Sequence, residues 1–264
     1  MKKGLFLSDL HVGCLWSLWP AHFKAPDPQT GHMIEYPQNP VQKLIYAHWK
    51  AMLPRIKDVD FIVLNGDLCQ GNNKKDQSIG LTTPDLGVQA EACKTLLRDL
   101  PKVPTYATLG SKYHTEADRP LDQFVAESIG ATFGNDLVIE ECGIRMHAQH
   151  YIPVSKSVWM YRTTGPARDM LLLALQDTED RYGKVDLALR SHAHYFVTVQ
   201  FRSSMAIITP CWQARTPYAV RNGLISLPDL GWVVLKIEDR KNMMVDRSGI
   251  AHLVKPCRVV GRRV

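Results

Sequence analysis

The hydrophobic positions of the chain fall into short continuous runs and longer runs with helical spacing. The short runs include residues 60–64, a continuous apolar run of the type found in strands that are covered on both faces of a sheet. They predict strands at residues 5–8, 60–64, 103–109, 137–140, 144–150, 185–189, 196–201, 205–209 and 231–237.

The runs with helical spacing lie between these strands and predict four helices, at residues 40–53, 84–100, 120–129 and 170–182. Proline at the predicted start of the first two helices, and Gly130 after the third, are typical helix boundaries. Residues 12–39 form a long predicted loop rich in Pro, Trp and His, and loops of that length are commonly functional.

This order of elements predicts an α/β fold. Strands alternate with helices in the first half of the chain, which predicts a mainly parallel sheet, and the helix-poor end predicts an antiparallel partner sheet. With 264 residues, of which 45% are hydrophobic, and with no internal repeat or linker, we expect one domain over residues 1–264.

The N-terminal apolar run is shorter than the roughly seven residues that a signal peptide requires. No window approaches the roughly 20 apolar residues of a membrane-spanning helix. Six scattered cysteines without a CxxC pair indicate a reducing setting, so we expect a soluble, cytoplasmic protein with buried thiols.

The net charge of +6 favours anionic partners such as phosphorylated metabolites, nucleotides or nucleic acid, although solubility alone explains it as well. Cationic residues accumulate near the end of the chain without the interleaved aromatics of a single-strand platform. They are Arg240, Lys241, Arg247, Lys255, Arg258, Arg262 and Arg263.

Residues suited to binding a metal ion lie at the end of five of the predicted strands or directly after it. Because the carboxyl ends of parallel strands open into one crevice, we expect these residues to converge. Carboxylate and imidazole suit divalent transition ions, and two such ions about 3.5–4 Å apart can assist displacement at phosphorus. The residues are Asp9 and His11, Asn65 and Asp67, Gly110 to His114, Gln149 and His150, and His192 and His194.

As an ordered set that spans essentially the whole chain, these motifs resemble those of the calcineurin-like metallophosphoesterases. The resemblance implies a four-layer αββα sandwich of two mixed β-sheets flanked by helices. It also implies two divalent transition-metal ions (Mn, Fe, Zn, Co or Ni) and a phosphate ester substrate, hydrolysed by in-line attack of a hydroxide that bridges the ions. The matching motifs are Asp9-x-His11, Gly66-Asp67, Gly110…His114, His150 and His192-x-His194.

The resemblance also implies a role for each residue. Asp67 would bridge both ions, and Gly66 would let the backbone pass close by. His192 and His150 would hold the second ion; we favour His150 over His147 because His150 lies at the end of its strand. The first ion would be held by Asp9, His11 and His194.

The third motif departs from the family, which typically has Gly-Asn-His followed by Asp or Glu. Ser111 stands at the position of the Asn ligand, and His114 is displaced by two residues. A hydroxyl is a poorer ligand than an amide oxygen, so either His114 coordinates an ion or the second ion binds weakly. His114 could instead protonate the leaving oxygen or stabilise its charge. Ser191 also replaces the usual Gly before His-x-His.

Two further groups flank the predicted crevice. Cationic and phenolic side chains are predicted to bind substrate, and aromatic residues could wall the pocket, although packing explains the aromatic ones equally well. The predicted substrate-binding residues are Tyr113, Lys112, Arg162 and Arg168, and the aromatic group is Trp16, Trp19, His22 and Trp212.

These features favour a dinuclear metal-dependent phosphoesterase in which Asp67 and His114 are catalytic. A phosphodiesterase is preferred to a phosphomonoesterase, because no cations besides the metals are clearly placed for a dianionic group. A nuclease acting on DNA or RNA is an alternative that the basic C-terminal residues favour. A non-catalytic protein-interaction scaffold is an alternative that the altered third motif favours.

Overall fold

The structure is a computed structural model that describes residues 1–72, 80–112, 114, 120–153, 159–178, 182–201, 204–221 and 227–252. The strands are β1 (Lys2–Leu7), β2 (Lys24–Pro26), β3 (Met33–Glu35), β4 (Phe61–Leu64), β5 (Thr105–Thr108), β6 (Thr132–Gly134), β7 (Asp136–Glu141), β8 (Ile144–Gln149), β9 (Leu187–Arg190), β10 (Val197–Phe201), β11 (Ser204–Ile208), β12 (Val233–Ile237) and β13 (Met243–Asp246). The helices are α1 (Pro40–Met52), α2 (Leu86–Leu97), α3 (Leu121–Ser128), α4 (Thr164–Thr178) and α5 (Pro217–Arg221), with 3₁₀ turns at Leu53–Arg55 and Trp159–Thr163.

Two mixed sheets and a small hairpin contain the strands. The first sheet has the order β13-β12-β1-β4-β5-β6. Strands β1, β4, β5 and β6 are parallel, β12 pairs antiparallel with β1, and β13 pairs antiparallel with β12. The second has the order β10-β11-β9-β8-β7, in which β11, β9 and β8 are parallel. Strands β2 and β3 pair with each other.

The predicted parallel character of the first sheet is confirmed, whereas the predicted antiparallel second sheet is wrong. Helix α4 connects β8 to β9, and a crossover connection of this kind makes the two strands parallel. The last two strands, β12 and β13, return to the edge of the first sheet.

Alternate side chains along the central strands face different layers. Leu5 and Leu7 pack in the cluster that contains α1, α2 and α3, while Phe6 packs between the two sheets. In the second sheet, Leu187 faces the first sheet and Ala188 packs under α4. The layers are therefore helices, sheet, sheet and helix, which is the four-layer αββα arrangement that the resemblance implies.

Side-chain caps explain where two of the helices begin. Asn39 and Gln42 form a capping box that starts α1 at Pro40, as predicted. Helix α2 starts at Leu86, two residues after Pro84, because the Asp85 carboxylate accepts a hydrogen bond from the Val88 amide. Helix α4 starts earlier than predicted, since its proline lies in the first turn, where a backbone N–H has no helical partner.

Four short strands of three or four residues were not predicted: β2, β3, β6 and β13. In the described ranges, none of the helices is both long and apolar enough to cross a membrane. Five cysteines lie in those ranges and none of them forms a disulfide, while Cys257 lies outside the described residues.

Candidate metal centre

The loops that follow β1, β4, β8 and β9 are hydrogen-bonded to one another at one edge of the two sheets. The Asp9 amide donates to the Gly66 carbonyl at 3.0 Å, and the Ser191 amide donates to the His150 carbonyl at 2.9 Å. The His192 amide donates to the Asp9 carboxylate at 3.2 Å, which connects the first sheet with the second. The edge where the ligand-type residues were expected to meet is therefore continuous across both sheets.

Five of the predicted metal ligands have left-handed backbone conformations, with φ between 46° and 69°. Residues other than glycine rarely adopt these backbone angles. Those that do cluster at functional sites, where the surrounding structure holds the strained backbone in place. Among the described residues, only two other non-glycine residues have this conformation, His22 and Cys142. The five are Asp9, His11, Asp67, His192 and His194.

The ligand-type side chains form three overlapping groups. In each group, one potential ligand atom from every residue lies within 4.8 Å of the others. All of these side chains except His114, His192 and His194 are almost fully buried. The groups are Asp9, His11 and His194; Asp67, His150 and His192; and His11, Asp67 and His114.

Asp9 Oδ1 lies near the middle of the cluster. Its distances to the Nε2 atoms of His194, His11 and His150 are 3.3, 3.7 and 3.8 Å. The Nε2 atoms of His11 and His194 are 3.0 Å apart, and His150 Nε2 is 3.0 Å from Asp67 Oδ2. Several lone-pair donors thus point at one small volume.

Buried polar atoms indicate that this volume suits cations. Within the described part of the chain, Asp9 Oδ1 is buried without a hydrogen-bond partner, and the buried His150 Nε2 faces the Asp67 carboxylate at 3.0 Å. His150 Nδ1 donates to the Asn65 carbonyl at 2.7 Å, which leaves Nε2 as the nitrogen that faces the cluster. A backbone carbonyl commonly orients a metal-binding imidazole in this way, so the donor set fits divalent transition ions.

The charges in the cluster are strongly coupled. Burial opposes ionisation of Asp9 and Asp67, but the positive charge of His150 holds the pKa of both carboxyls well below the usual range. Burial also opposes protonation of His150, yet Asp67 and Asp9 outweigh it and raise its pKa to about 9. Without metal, a proton on His150 therefore partly neutralises the two carboxylates.

Metal affinity is consequently expected to depend on pH. Because the His150 pKa is raised to about 9, an ion at the Asp67, His150 and His192 group must displace a proton at neutral pH. Its apparent association constant should rise about tenfold per pH unit from pH 6.5 towards 9. Competition with a chromophoric chelator of known proton affinity would measure the slope. A pH-independent constant would contradict a protonated His150.

Asp122 supports the cluster, although sequence reasoning missed it. Its buried carboxylate accepts hydrogen bonds from the amides of Asp67 (3.2 Å), Leu68 (2.9 Å) and Gly110 (2.8 Å). Burial and the charge of Asp67 raise the pKa of Asp122 to about 6. An acidic residue in the first turn of a helix is common for local reasons, so nothing in the sequence distinguished this one.

Asn65 joins the two sheets behind the cluster. Its side-chain amide donates to the Ser191 hydroxyl at 2.6 Å and to the Gln149 carbonyl at 3.2 Å. Its oxygen accepts from the Thr108 hydroxyl at 2.8 Å, and the Ser191 hydroxyl also bonds with Thr209 at 2.7 Å. The hydroxyl of Ser191, where the family has Gly, is thus part of a buried network between the strands that carry the ligands.

Two glycines in these loops allow close contacts. A Cβ on Gly110 would lie 2.1 Å from Asp67 Oδ1, and a Cβ on Gly66 would lie 2.7 Å from His150 Nδ1. Gly66 also has a φ of 78°. Both positions therefore require glycine for the carboxylate and the imidazole to reach their places.

The third motif is placed beside Asp67. The Ser111 amide donates to Asp67 Oδ1 at 2.7 Å, and the Ser111 hydroxyl lies 3.3 and 3.1 Å from the two Asp67 oxygens. The His114 ring packs edge-on against His11, with 4.5 Å between the ring centroids. Ser111 and His114 are thus both next to the predicted bridging carboxylate.

His147 lies outside the cluster. Its Nδ1 is 2.8 Å from the guanidinium of the buried Arg190, and its Nε2 is 3.4 Å from Asp136. Arg190 also pairs with Asp169 of α4 at 2.7 Å. The imidazole of His147 therefore belongs to a separate polar network between the second sheet and α4.

The predicted substrate-binding residues are only partly located. Tyr113 lies outside the described residues, and Lys112 and Arg168 are exposed. The guanidinium of Arg162 lies 4.5 Å from the centroid of the Tyr195 ring, and Tyr195 directly follows His194. Arg162 is thus held beside the loop that carries two of the ligand-type histidines.

For two of the aromatic residues, the structure supports the packing alternative. Trp19 and Trp212 are fully buried and pack in the core between the first sheet and its helices. Trp16 is half-buried, and His22 is exposed beside Glu35. An aromatic that was not predicted, Tyr151, is 57% exposed, and its ring centroid lies 5.0 Å from that of His192.

No family model and no curated protein matches the chain. Among solved structures, it is similar to Entamoeba histolytica Vps29 complexed with Zn²⁺, with 12% identity, 95% of this chain and 98% of that chain covered, and a TM-score of 0.44. It is also similar to an archaeal phosphodiesterase, with 11% identity, 94% of this chain and 99% of that chain covered, and a TM-score of 0.45. A third similar structure is a predicted phosphoesterase from Streptococcus pneumoniae, with 11% identity, 90% of this chain and 84% of that chain covered, and a TM-score of 0.41.

Proposed function

We propose that this chain, which combines a metallophosphoesterase-like fold with a buried Asp/His cluster, is a metal-dependent phosphoric ester hydrolase. The observation that supports the proposal most is the convergence of Asp9, Asp67, His150 and His194 from four separate loops. Divalent ions at such a site act as Lewis acids and lower the pKa of water to near neutrality.

Two ions would divide the cluster between them. Asp67 is the natural bridge, because it belongs to one ligand group with His11 and to another with His150. The Ser111 amide donates a hydrogen bond to the Asp67 carboxylate, and the Asp67 amide donates one to the Asp122 carboxylate. These two bonds orient the Asp67 side chain and its loop. Mn, Fe, Zn, Co and Ni all suit this mixture of carboxylate and imidazole, so the donor set does not select one of them.

A phosphodiester is the proposed substrate. A diester carries one negative charge at phosphorus. One cation, Arg162, packs against Tyr195, next to the predicted ligand His194, where it could offset that charge. A phosphomonoester is dianionic and would favour several fixed cations. The exposed ring of Tyr151 beside His192 offers a surface for an aryl or nucleobase substituent. The free cysteines agree with the proposed cytoplasmic location.

The two alternatives have specific support. The replacement of the Asn ligand by Ser111 favours a scaffold that has lost catalysis. The basic C-terminal residues favour a nuclease, although Arg240 pairs with Asp186 at 2.6 Å, and residues 253–264 lie outside the described ranges.

Removing metal is expected to abolish hydrolysis of bis(p-nitrophenyl) phosphate, and adding Mn²⁺ to restore it by at least about 100-fold. The initial rate of p-nitrophenolate release from EDTA-treated protein measures this effect. We expect kcat/KM for the diester to exceed that for p-nitrophenyl phosphate. A protein that binds metal but hydrolyses neither ester, nor single-stranded DNA or RNA, would support the scaffold instead.

A further inference from the structure

His114 lies on one particular side of the cluster. Its potential ligand atom is within 4.8 Å of those of His11 and Asp67, and it belongs to no group with His150 or His192. Its ring packs against His11, which is grouped with Asp9. The displaced histidine of the third motif therefore approaches His11, a predicted ligand of the first ion, and is not grouped with His150 or His192, the predicted ligands of the second.

The tautomer of His114 suits coordination. His114 Nδ1 is 2.6 Å from the Gln70 carbonyl, so Nδ1 carries a proton and Nε2 has a lone pair when the ring is neutral. His150 is oriented in the same way by the Asn65 carbonyl. These two carbonyls flank Asp67 in one short loop, so a single segment presents a carboxylate and orients two imidazoles towards it.

The position of the usual Asn ligand is used differently here. Both the amide and the hydroxyl of Ser111 lie within hydrogen-bond distance of the Asp67 carboxylate. Ser111 therefore orients Asp67 instead of supplying an amide oxygen to the second ion. The second group retains Asp67, His150 and His192.

We infer that His114 is a metal ligand on the side of Asp9, His11 and His194, so that the two ion sites are unequal. The first site gains an imidazole, and the second lacks the amide oxygen that the family has. This inference rests on the proposed dinuclear function. It predicts that the first site binds its ion tightly and that the second site exchanges its ion. Because Nδ1 donates to the Gln70 carbonyl, coordination would be through Nε2.

The test is a Co²⁺ titration of metal-free protein, followed by visible absorption and by elemental analysis after dialysis. Two classes of site with different affinities are expected in the unaltered protein. In His114→Ala and His114→Gln, the tight class should weaken by at least about tenfold and its absorption bands should change. In Ser111→Asn, the loose class should tighten by about tenfold while the tight class is unchanged.

His22→Ala is the matched control, because His22 is exposed and lies outside the three ligand groups, and it should leave both classes unaltered. If the His114 variants keep both affinities and the Co²⁺ spectrum while kcat falls, His114 is a proton donor and the inference is overturned. That result would leave the proposed hydrolase standing. If the unaltered protein binds no Co²⁺, the proposed function itself fails.

Discussion

Replacing Asp67 by Asn is expected to abolish hydrolysis and to remove metal from the protein. Asp67 is the one carboxylate shared by two of the ligand groups, and its side chain is 1% exposed. An amide of the same size keeps the shape but loses the negative charge that would offset the proposed cations in a buried site. We expect kcat/KM for the diester to fall by about 10³-fold or more. Kinetics with saturating Mn²⁺ and elemental analysis would measure both effects.

Asp136→Asn is a matched control for this substitution. Asp136 is an exposed carboxylate at the start of β7 that contacts His147, outside the ligand groups. The control should retain the metal content and activity of the unaltered protein. An unaltered metal content in Asp67→Asn would contradict the bridging role, even if activity were lost.

Replacing Asp122 by Ala is expected to have the largest effect on stability. The substitution removes the acceptor of three backbone N–H groups, those of Asp67, Leu68 and Gly110, and none of them is then paired in the buried loop. We expect the free energy of unfolding to fall by about 3–5 kcal/mol. Urea denaturation of the metal-free protein, compared at equal m values, would measure the change.

The cost of Asp122→Ala should also depend on pH in the metal-free protein. The pKa of Asp122 is raised from 3.8 to about 6 on folding, so protonation stabilises the native state. This stabilisation by the bound proton is complete below about pH 4 and is lost as the pH rises through 6. The loss in free energy of unfolding caused by Asp122→Ala should therefore become smaller over this interval. A cost that grows with pH would contradict the raised pKa.

Asp122→Asn separates the hydrogen bonds from the charge. The asparagine retains one acceptor oxygen, so its cost at low pH should be smaller than that of alanine. Gln123→Ala, at the next position of α3, should change stability by less than about 1 kcal/mol, because the Gln123 amide donates to Glu127 on the surface of the same helix. Equal losses for Asp122→Asn and Asp122→Ala would indicate that the network needs both oxygens.

Several features of the fold were accessible from sequence because they depend on local chemistry. The continuous run before Asn65 indicated a strand buried on both faces, and the Asn39 and Gln42 capping box lies at the predicted start of α1. The parallel centre of the second sheet was not accessible, because strand direction depends on which strands become neighbours. Sequence alone left two alternatives open for Trp212, a pocket wall or the core, because its ring partner Trp49 lies far away in the chain.

By itself, the sequence determined which residue types follow each strand and in what order, and from these alone a carboxylate and imidazole site could be expected. Only the tertiary structure decided that His114 approaches His11 and that Asp122 supports the loop of Asp67. These relations are contacts between segments, and their distances depend on how the loops cross at the sheet edge. Local propensity acts over a few neighbouring residues, whereas the hydrogen bonds and charges that complete this site act across the whole fold.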